Sequence, residues 1–463
     1  MLRPIPLARL VLSVVVPLAG FASATISAAE PDRDRCVVLI SVDGLAGYYF
    51  DDPRAQMPTI RELAKNGAWS DEMTCSFPTV TWPNHTTLVT GAHPARHGVL
   101  GNNFLDRETA KPVGLIVDPV FDKDEIVRVP TIYDAAHQAG LATAGVLWPA
   151  TRNAKSFDWS VPDMGEDNWA RYGTPSWLEE LRQAGIPVDS HAAWCKDKVC
   201  GVMRDWLYSR MADHVLMVHA PNLVLVHLIE LDHTQHTFGP KTPEAYWAVN
   251  QADTRVRDIV ESVRKSKHAD KTTIIVTSDH GFRPIAKDIR PNVLFRTQKL
   301  ADAAPDVRPV VKSVAQGGGC MVYILDPARK AELLPKLRDV LAKVEGVTAV
   351  VEPKDFEKFG VAAPEQDPHA PDFWLSAESG YCFTDSAEGE DLVVPRPAPG
   401  GTHGYLPNHP DLYGTFVISG YGVASAKDLG PIRNIDVAPT MAELLKVKLP
   451  TAEGTVLKAA LAP

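Results

Sequence analysis

Residues 75–104 read CSFPTVTWPNHTTLVTGAHPARHGVLGNNF, and Thr81 lies in this stretch at the end of a β-prone run, directly before Trp82 and Pro83. Proline is tolerated in the first turn of a helix and threonine is a good N-cap, so the pattern predicts a helix that Thr81 caps. The N-terminus of a helix favours an anion such as phosphate or sulfate, because its N–H groups and the positive dipole end are free there. The stretch therefore indicates that Thr81 is a nucleophile beside an anion-binding site.

The Thr81 hydroxyl needs activation, because a threonine is a poor nucleophile until a base or a metal helps to remove its proton. Apolar runs that predict buried strands lie at residues 35–43, 141–148, 222–229 and 271–278. Polar residues at the ends of such runs meet at the carboxyl edge of a parallel sheet. The candidate metal ligands of the chain are Asp43, Asp232, His236, Asp279, His280 and His403.

Other patterns complete the predicted fold. Periodicity predicts helices at residues 57–66, 242–265 and 437–445 and a further strand at 413–419. The regularity falls between residues 283 and 399, where charged helices near 327–344 and a strand near 347–352 are interrupted by prolines. We therefore predict a discontinuous catalytic α/β domain, residues 34–282 and 400–450, into which an α+β cap of residues 283–399 is inserted.

Six segments occur in a fixed order: VDG, FPTVTWPNHTTLVTG, HGVLGNN, ELDHTQHTFGP, TSDHG and GTHGY. Together they resemble the nucleotide pyrophosphatase/phosphodiesterase family of the alkaline phosphatase superfamily, over about residues 36 to 445. The resemblance implies an alkaline-phosphatase-like α/β fold, in which helices flank a mostly parallel central sheet. It also implies hydrolysis of a phosphodiester or nucleotide pyrophosphate bond through a phospho-threonine.

The same resemblance implies two Zn²⁺ ions per chain, which would clamp an in-line displacement at phosphorus. Asp232, His236 and His403 would bind one ion, and Asp43, Asp279, His280 and the Thr81 oxygen would bind the other. By chemistry alone His227 and His233 compete for a ligand role, but the D-x-x-x-H spacing of the family selects His236. His85, His93 and His97 are assigned structural roles, and Pro94 with its flanking glycines argues against a helix around residues 93–97.

Substrate contacts are predicted from three further residues. Asn102 matches the asparagine that donates to a phosphoryl oxygen in the family, with Asn103 as the alternative, and the backbone N–H of Trp82 would help to hold the transition-state oxygens. Trp82 also lies where the family often has an aromatic residue that stacks on a nucleobase. Arg152 follows Ala150 and Thr151, which replace the Gly-Ser of the family.

Arg152 and Lys155 are the basis of a competing functional interpretation. A phosphate monoester dianion generally needs an extra cation in the site, and either side chain could be that cation. If either points inward, the enzyme is a phosphomonoesterase or a phosphonate hydrolase of the same superfamily. A sulfatase of the modified-cysteine type needs C-x-P-x-R, which CSFP at residues 75–78 does not match. A non-catalytic binding protein on this scaffold is expected to have lost ligands, and none of the seven is missing.

Composition narrows the class of partner. The chain has 463 residues, 45% of them hydrophobic, and a net charge of -10 with histidine neutral. An acidic balance argues against coating a polyanion, so we expect a small phosphate ester, possibly a nucleotide, and no duplex nucleic acid.

The N-terminus and the cysteines indicate the compartment. Residues 1–29 carry Arg3 and Arg9, an apolar run and small residues, which is typical of a secretory signal peptide, so a periplasmic or secreted protein with no membrane span in the mature chain is expected. Export permits disulfides among the six cysteines. Cys195 and Cys200 are the predicted pair, and the other four allow three connectivities.

Overall fold

The computed structural model describes residues 31–115, 121–164, 168–196, 201–300 and 308–462. The predicted signal peptide and Cys200 therefore lie outside the described residues. Among the helices that are described, none combines the length and the apolar character needed to cross a bilayer. Residues 31–463 form one compact unit.

The strands and helices are numbered in chain order. The strands of the described residues are β1 Cys36–Val42, β2 Ala68–Thr74, β3 Asn103–Asp106, β4 Lys111–Gly114, β5 Thr143–Trp148, β6 Trp159–Pro162, β7 Leu223–Leu228, β8 Thr272–Thr277, β9 Arg283–Ile289, β10 Val311–Gln316, β11 Gly319–Ile324, β12 Val347–Val351, β13 Phe373–Ala377, β14 Gly380–Phe383, β15 Val393–Thr402, β16 Gly414–Gly420, β17 Lys427–Asp428 and β18 Ile432–Arg433. Their α-helices are α1 Pro58–Lys65, α2 Thr81–Thr90, α3 Pro94–His97, α4 Lys123–Ile126, α5 Ile132–Gln138, α6 Trp169–Tyr172, α7 Pro175–Gln183, α8 His191–Lys196, α9 Gly201–Val218, α10 Glu230–Phe238, α11 Pro243–Lys265, α12 Pro291–Thr297, α13 Lys330–Leu341 and α14 Val437–Leu445.

The central sheet has the strand order β17-β2-β16-β8-β1-β7-β5-β6, and β18 pairs with β2. Strands β8, β1, β7, β5 and β6 run parallel, whereas β16 is antiparallel to both β8 and β2. All seven residues of β1, CVVLISV, are buried, as expected for a strand covered on both faces. The predicted α/β architecture with a mostly parallel sheet is thus confirmed.

Alternation along β1 assigns its side chains to two layers. Val38 and Ile40 pack into the apolar cluster that α9 and α11 contribute to, while Val37 and Leu39 pack into the cluster beneath α14. Burying both faces of the sheet fixes the register of the parallel strands, since a slip of one residue would exchange the two layers. The carboxyl ends of β1, β7 and β8 are therefore held at one edge.

Residues 283–399 contribute an antiparallel sheet of order β10-β11-β13-β12 and a smaller sheet of order β14-β9-β15. The pairing of β9 with β15 brings the start of this segment alongside its end. Strand β15 then leads directly into His403. The segment thus has a sheet of its own and returns the chain to the edge of the central sheet.

The structure differs from the predictions at two places, the segment around residues 93–97 and the cysteines. The short helix α3 does form, because Pro94 occupies its first turn and Gly98 adopts the left-handed conformation that ends it, with φ of 89°. The cysteines Cys36, Cys75, Cys320 and Cys382 are buried free thiols, so they form none of the three connectivities considered. Cys195 is a free thiol as well, so its predicted disulfide with Cys200, which lies outside the described residues, is not present in the structure.

Candidate metal centres and nucleophile

The first ligand set joins one helix and one loop. Asp232 and His236 lie one turn apart on α10, which follows β7, so both face the same side of the helix. His403 follows β15. The Nε2 atoms of His236 and His403 are 3.4 Å and 3.5 Å from Oδ1 of Asp232, and 3.1 Å from each other.

The protons in this set can be located from the partners of the two rings. Nδ1 of His236 is 3.0 Å from the Gly401 carbonyl oxygen, and Nδ1 of His403 is 2.9 Å from that of Thr79. A carbonyl only accepts, so in the neutral imidazole Nδ1 carries the proton and Nε2 presents a lone pair. Burial lowers the pKa of His403 to about 4, which keeps that ring neutral.

Burial lowers the pKa of His236, but the interactions of the ring with the charged Asp232 and with Gly401 outweigh this effect, so the pKa is raised. When both rings are neutral, three acceptor atoms converge. Oδ1 of Asp232 is buried and has no hydrogen-bond partner among the described residues. Ligands about 2.0 Å from a tetrahedral zinc ion are about 3.3 Å from one another, close to the separations in this set. The set fits a cation with a preference for nitrogen and oxygen donors.

The second ligand set lies at the ends of β1 and β8. Nε2 of His280 is 3.3 Å from Oδ1 of Asp43 and 3.1 Å from Oδ2 of Asp279. His280 Nδ1 is 3.2 Å from the Gly281 carbonyl oxygen, so Nε2 again presents its lone pair. All three atoms are buried, and within the described part of the chain none has a hydrogen-bond partner.

Charge explains why this second set needs a cation. Burial raises the pKa of Asp43, and the charges of Asp279 and Asp232 raise it further. Burial likewise raises the pKa of Asp279 to about 8. Two ionised carboxylates at this depth are unfavourable alone, and a divalent cation between them would offset their repulsion.

Thr81 is the first residue of α2 rather than its N-cap, which is Val80. The predicted cap was therefore one residue too late, and α2 has no side-chain cap. Asn102 is fixed beside it, because the Trp82 N–H donates to Oδ1 of Asn102 across 2.9 Å and the Asn102 N–H donates to Gln316. The Trp82 N–H, which was predicted to hold substrate oxygens, donates to Asn102 in this arrangement.

Thr81 and one carboxylate of each ligand set, Asp43 and Asp232, line one cavity of about 280 Å³. Its lining residues include Asp43, Asp232, Thr81, Trp82 and Asn102 from the predicted site, and also Leu147, Asp163, Met164, His191, Cys195, Arg204, Tyr208, His227, Ile229 and His233. Asn103 is absent from this wall, and its backbone carbonyl accepts from Gln316 instead. The size suits a small ligand.

The ring of Trp82 forms a wall of the cavity. Its side chain is buried in an apolar cluster with Phe77 and Leu100, and its indole N–H donates to Asp163. Burial raises the pKa of Asp163 to about 7. Trp82 therefore presents a fixed face rather than a mobile ring.

The predicted substrate cations are located elsewhere. Nε of Arg152 donates to Asp122 across 2.8 Å, and its guanidinium lies over the ring of Tyr172, while Lys155 is exposed. Neither is among the described residues that line the cavity, where the cation is Arg204 on α9. Sequence reasoning missed Arg204 because it lies inside a helix without any motif around it.

The remaining histidines have identified partners. Nδ1 of His85 donates to the Thr81 carbonyl oxygen across 2.9 Å, and His97 hydrogen-bonds Thr87 and the N–H of Val99. These contacts agree with structural roles. His227 was a competing ligand candidate, and its Nε2 lies 3.0 Å from Oδ2 of Asp43.

A family model described as type I phosphodiesterase/nucleotide pyrophosphatase matches residues 37–406. An uncharacterized pyrophosphatase/phosphodiesterase of Schizosaccharomyces pombe is 24% identical over 90% of this chain and 78% of its own length. Ectonucleotide pyrophosphatase/phosphodiesterase family member 7 of Mus musculus is 23% identical over 92% of this chain and 86% of its own. The venom phosphodiesterase of Macrovipera lebetinus is 23% identical, but only 44% of its length is covered.

Solved structures share the fold. Murine ectonucleotide pyrophosphatase/phosphodiesterase 5, as an inactive threonine-to-alanine variant in complex with AMP, superposes with a TM-score of 0.67 at 18% identity, covering 92% of this chain and 100% of the murine one. The human counterpart gives a TM-score of 0.66 at 18% identity, covering 93% and 100%. The residues that the family model matches, 37–406, include the six motifs quoted above.

Proposed function

Because the chain belongs to the type I phosphodiesterase/nucleotide pyrophosphatase family, whose members hydrolyse phosphoric ester bonds, we propose that it cleaves phosphodiester or nucleotide pyrophosphate bonds through a phospho-threonine at Thr81, with two zinc ions as cofactors. The observation that carries the proposal is the pair of Asp/His clusters whose ligand atoms converge. One carboxylate of each cluster, Asp232 and Asp43, lines the cavity that Thr81 also lines.

The ligand sets favour zinc by the chemistry of their donors. Asp232, His236 and His403 would hold one ion, and Asp43, Asp279 and His280, with the Thr81 oxygen, would hold the other. Imidazole and carboxylate donors in sets of three leave a coordination position open, as in catalytic zinc sites. Bound zinc would supply Lewis-acid stabilisation of phosphoryl oxygens and a lower hydroxyl pKa.

The chain's own residues account for two displacements. In the first, Oγ1 of Thr81 bonds to phosphorus, the bond from phosphorus to the leaving group breaks, and the leaving group ends protonated by the proton that Thr81 gave up. In the second, water attacks phosphorus, the bond to Oγ1 breaks and Thr81 regains a proton. The Asn102 amide, oriented by the Trp82 N–H, donates to a non-bridging oxygen as charge develops.

A nucleotide is supported as one substituent of the ester by the AMP bound in the murine structure. In this chain the Trp82 ring and Leu147 give the cavity apolar surface against which a base can pack. Phosphomonoesterase activity stays the alternative, and it loses the support of Arg152 and Lys155, which do not line the cavity.

The first test compares kcat/KM for bis-p-nitrophenyl phosphate and p-nitrophenyl phosphate with zinc-loaded wild type, Thr81→Ala and Thr81→Ser. We expect the wild type to prefer the diester, and Thr81→Ala to lose on the order of a thousandfold or more while keeping both metals. Thr81→Ser retains a hydroxyl and is the matched control. Full activity of Thr81→Ala, or loss of its metal measured by mass spectrometry, would contradict the proposal.

Export is part of the same proposal and is supported by the charge and hydropathy of residues 1–29. The mature enzyme would then be periplasmic or secreted. Cell fractionation of the full-length protein, with N-terminal sequencing of the product, should find a chain shortened by about the length of a signal peptide. An intact N-terminus in the cytoplasmic fraction would refute export.

A further inference from the structure

Arg204 is a cation on the wall of the cavity and lies apart from the residues assigned to catalysis. It is a half-buried residue of α9, and its Nε is buried with no hydrogen-bond partner in the described ranges of the chain. A guanidinium presents five donors in a planar fork and stays charged in any protein environment. A guanidinium that lines a cavity is suited to an anionic ligand group.

Three carboxylates lie near Arg204, those of Asp163, Asp205 and Glu230. Oε1 of Glu230 accepts from Thr234 across 2.8 Å, whereas its Oε2 has no hydrogen-bond partner among the described residues. The Asp163 carboxylate accepts from the Trp82 indole. Asp205 accepts from the N–H groups of Ile229 and Glu230, across 2.8 Å and 3.1 Å, and so caps α10. These acids lie near the guanidinium, and none of them supplies the fork-like pairing that an arginine can make with a carboxylate or a phosphate.

The surroundings of Arg204 hold it in place. Tyr208, one turn later on α9, has its hydroxyl 3.0 Å from Nε2 of His191, and that ring stacks on Trp169 at 3.6 Å and 8°. The Cys195 thiol also hydrogen-bonds the guanidinium. An arginine that is positioned in advance loses less entropy when it binds a ligand.

We propose that Arg204 is a specificity-determining residue that binds a second anionic group, a carboxylate or a phosphate, carried by a substituent of the scissile phosphodiester. This inference rests on the proposed function, since it assigns the substrate class of the same cavity. Preferred substrates would be diesters or pyrophosphates with an additional negative charge, ahead of diesters whose substituents are neutral.

The test uses a symmetric diester, bis(carboxynitrophenyl) phosphate, and its bis-carboxamide, so that whichever substituent enters the cavity carries the group under test. Release of nitrophenolate gives kcat/KM for each in zinc-loaded enzyme. We expect wild type to prefer the carboxylate, and Arg204→Gln to lower the ratio of the two kcat/KM values by roughly ten- to a hundredfold. Arg204→Lys should give an intermediate ratio, because it keeps the charge and loses the fork.

Arg210→Gln is the matched control, since Arg210 lies on the same helix, is exposed and pairs with Asp213. Its ratio should equal that of wild type. A wild-type ratio of one or less, or an unchanged ratio in Arg204→Gln, would overturn the inference. Calorimetric binding of both diesters to Thr81→Ala, with and without Arg204→Gln, reports the contact without turnover, so failure of the reaction and failure of this contact are distinguishable.

Discussion

The backbone N–H of Trp82 donates to Oδ1 of Asn102 across 2.9 Å, and this bond determines which way the Asn102 amide faces. Because the carbonyl end of the amide is turned to the backbone, its NH₂ end is left for the cavity. The side chain next to the nucleophile is thereby oriented before any substrate binds, and its donor adds no charge to the site.

This bond predicts the effect of Asn102→Asp. The aspartate keeps an acceptor for the Trp82 N–H but replaces the donor to substrate with a negative oxygen. We expect kcat/KM for bis-p-nitrophenyl phosphate to fall by about a hundred- to a thousandfold, the usual cost of losing one oxyanion donor. Metal content should be unchanged, and Asn103→Asp should have a far smaller effect. Wild-type kinetics in Asn102→Asp would show that the amide does not contact the reacting phosphate.

The contact between His227 and Asp43 predicts that His227 affects the affinity of the proposed metal centre formed by Asp43, Asp279 and His280. Its Nε2 is 3.0 Å from Oδ2 of Asp43, and its Nδ1 is 3.1 Å from the carbonyl oxygen of Leu147. Leu147 has a left-handed backbone, with φ of 55°, which is unusual for leucine and typical of a constrained functional position. The ring therefore links an irregular position inside β5, where the pairing register shifts, to the proposed metal ligand Asp43.

We expect His227→Ala to lower the zinc affinity of that centre by roughly ten- to a hundredfold, the range for losing a partner that orients a ligand. Competition with a chromophoric chelator would measure both centres in one titration. The centre formed by Asp232, His236 and His403 should keep its affinity and serves as an internal control. Equal weakening of both centres, or of neither, would contradict this role.

The central sheet could be predicted from sequence because β1, β5, β7 and β8 are continuous apolar runs, and a buried parallel strand needs no other signal. Asp43, Asp232, Asp279 and His280 could be identified as candidate ligands because they lie at or just after the ends of such runs. The choice of His236 and His403, and the division into two sets, came from the family resemblance. Local patterns therefore suffice for the scaffold but only for part of the candidate site.

The part of the cavity wall formed by Arg204 and Asp163 could not be predicted from the sequence. Arg204 and Asp163 lie far apart in the chain, and their shared cavity arises only when α9 packs beside the end of β6. The partners of Arg152 could not be predicted for the same reason, since Asp122 and Tyr172 reach it only in the folded chain. Packing between distant segments decides which cation faces a cavity. The periodicity of a single segment therefore cannot predict it.

Asp163 predicts a pH dependence of stability. Burial raises its pKa from the ordinary value of 3.8 to about 7, so between these values the folded protein binds a proton that the unfolded chain has released. The unfolded state then binds fewer protons, and stability falls as pH rises from about 4 through about 7. The asparagine variant cannot ionise and is spared this loss.

Asp163→Asn should therefore gain stability over wild type as the pH increases, by on the order of 2–4 kcal/mol between about pH 4 and pH 8. Urea unfolding of both proteins in chelator at these two pH values measures the difference, and the acidic value serves as the reference because both side chains are neutral in the folded protein there. The amide keeps an acceptor for the Trp82 indole, so the packing of the wall is preserved. If the stability gap between the two proteins is the same at both pH values, Asp163 has the same pKa in the folded protein as in the unfolded chain, and its burial beside Trp82 does not control its charge.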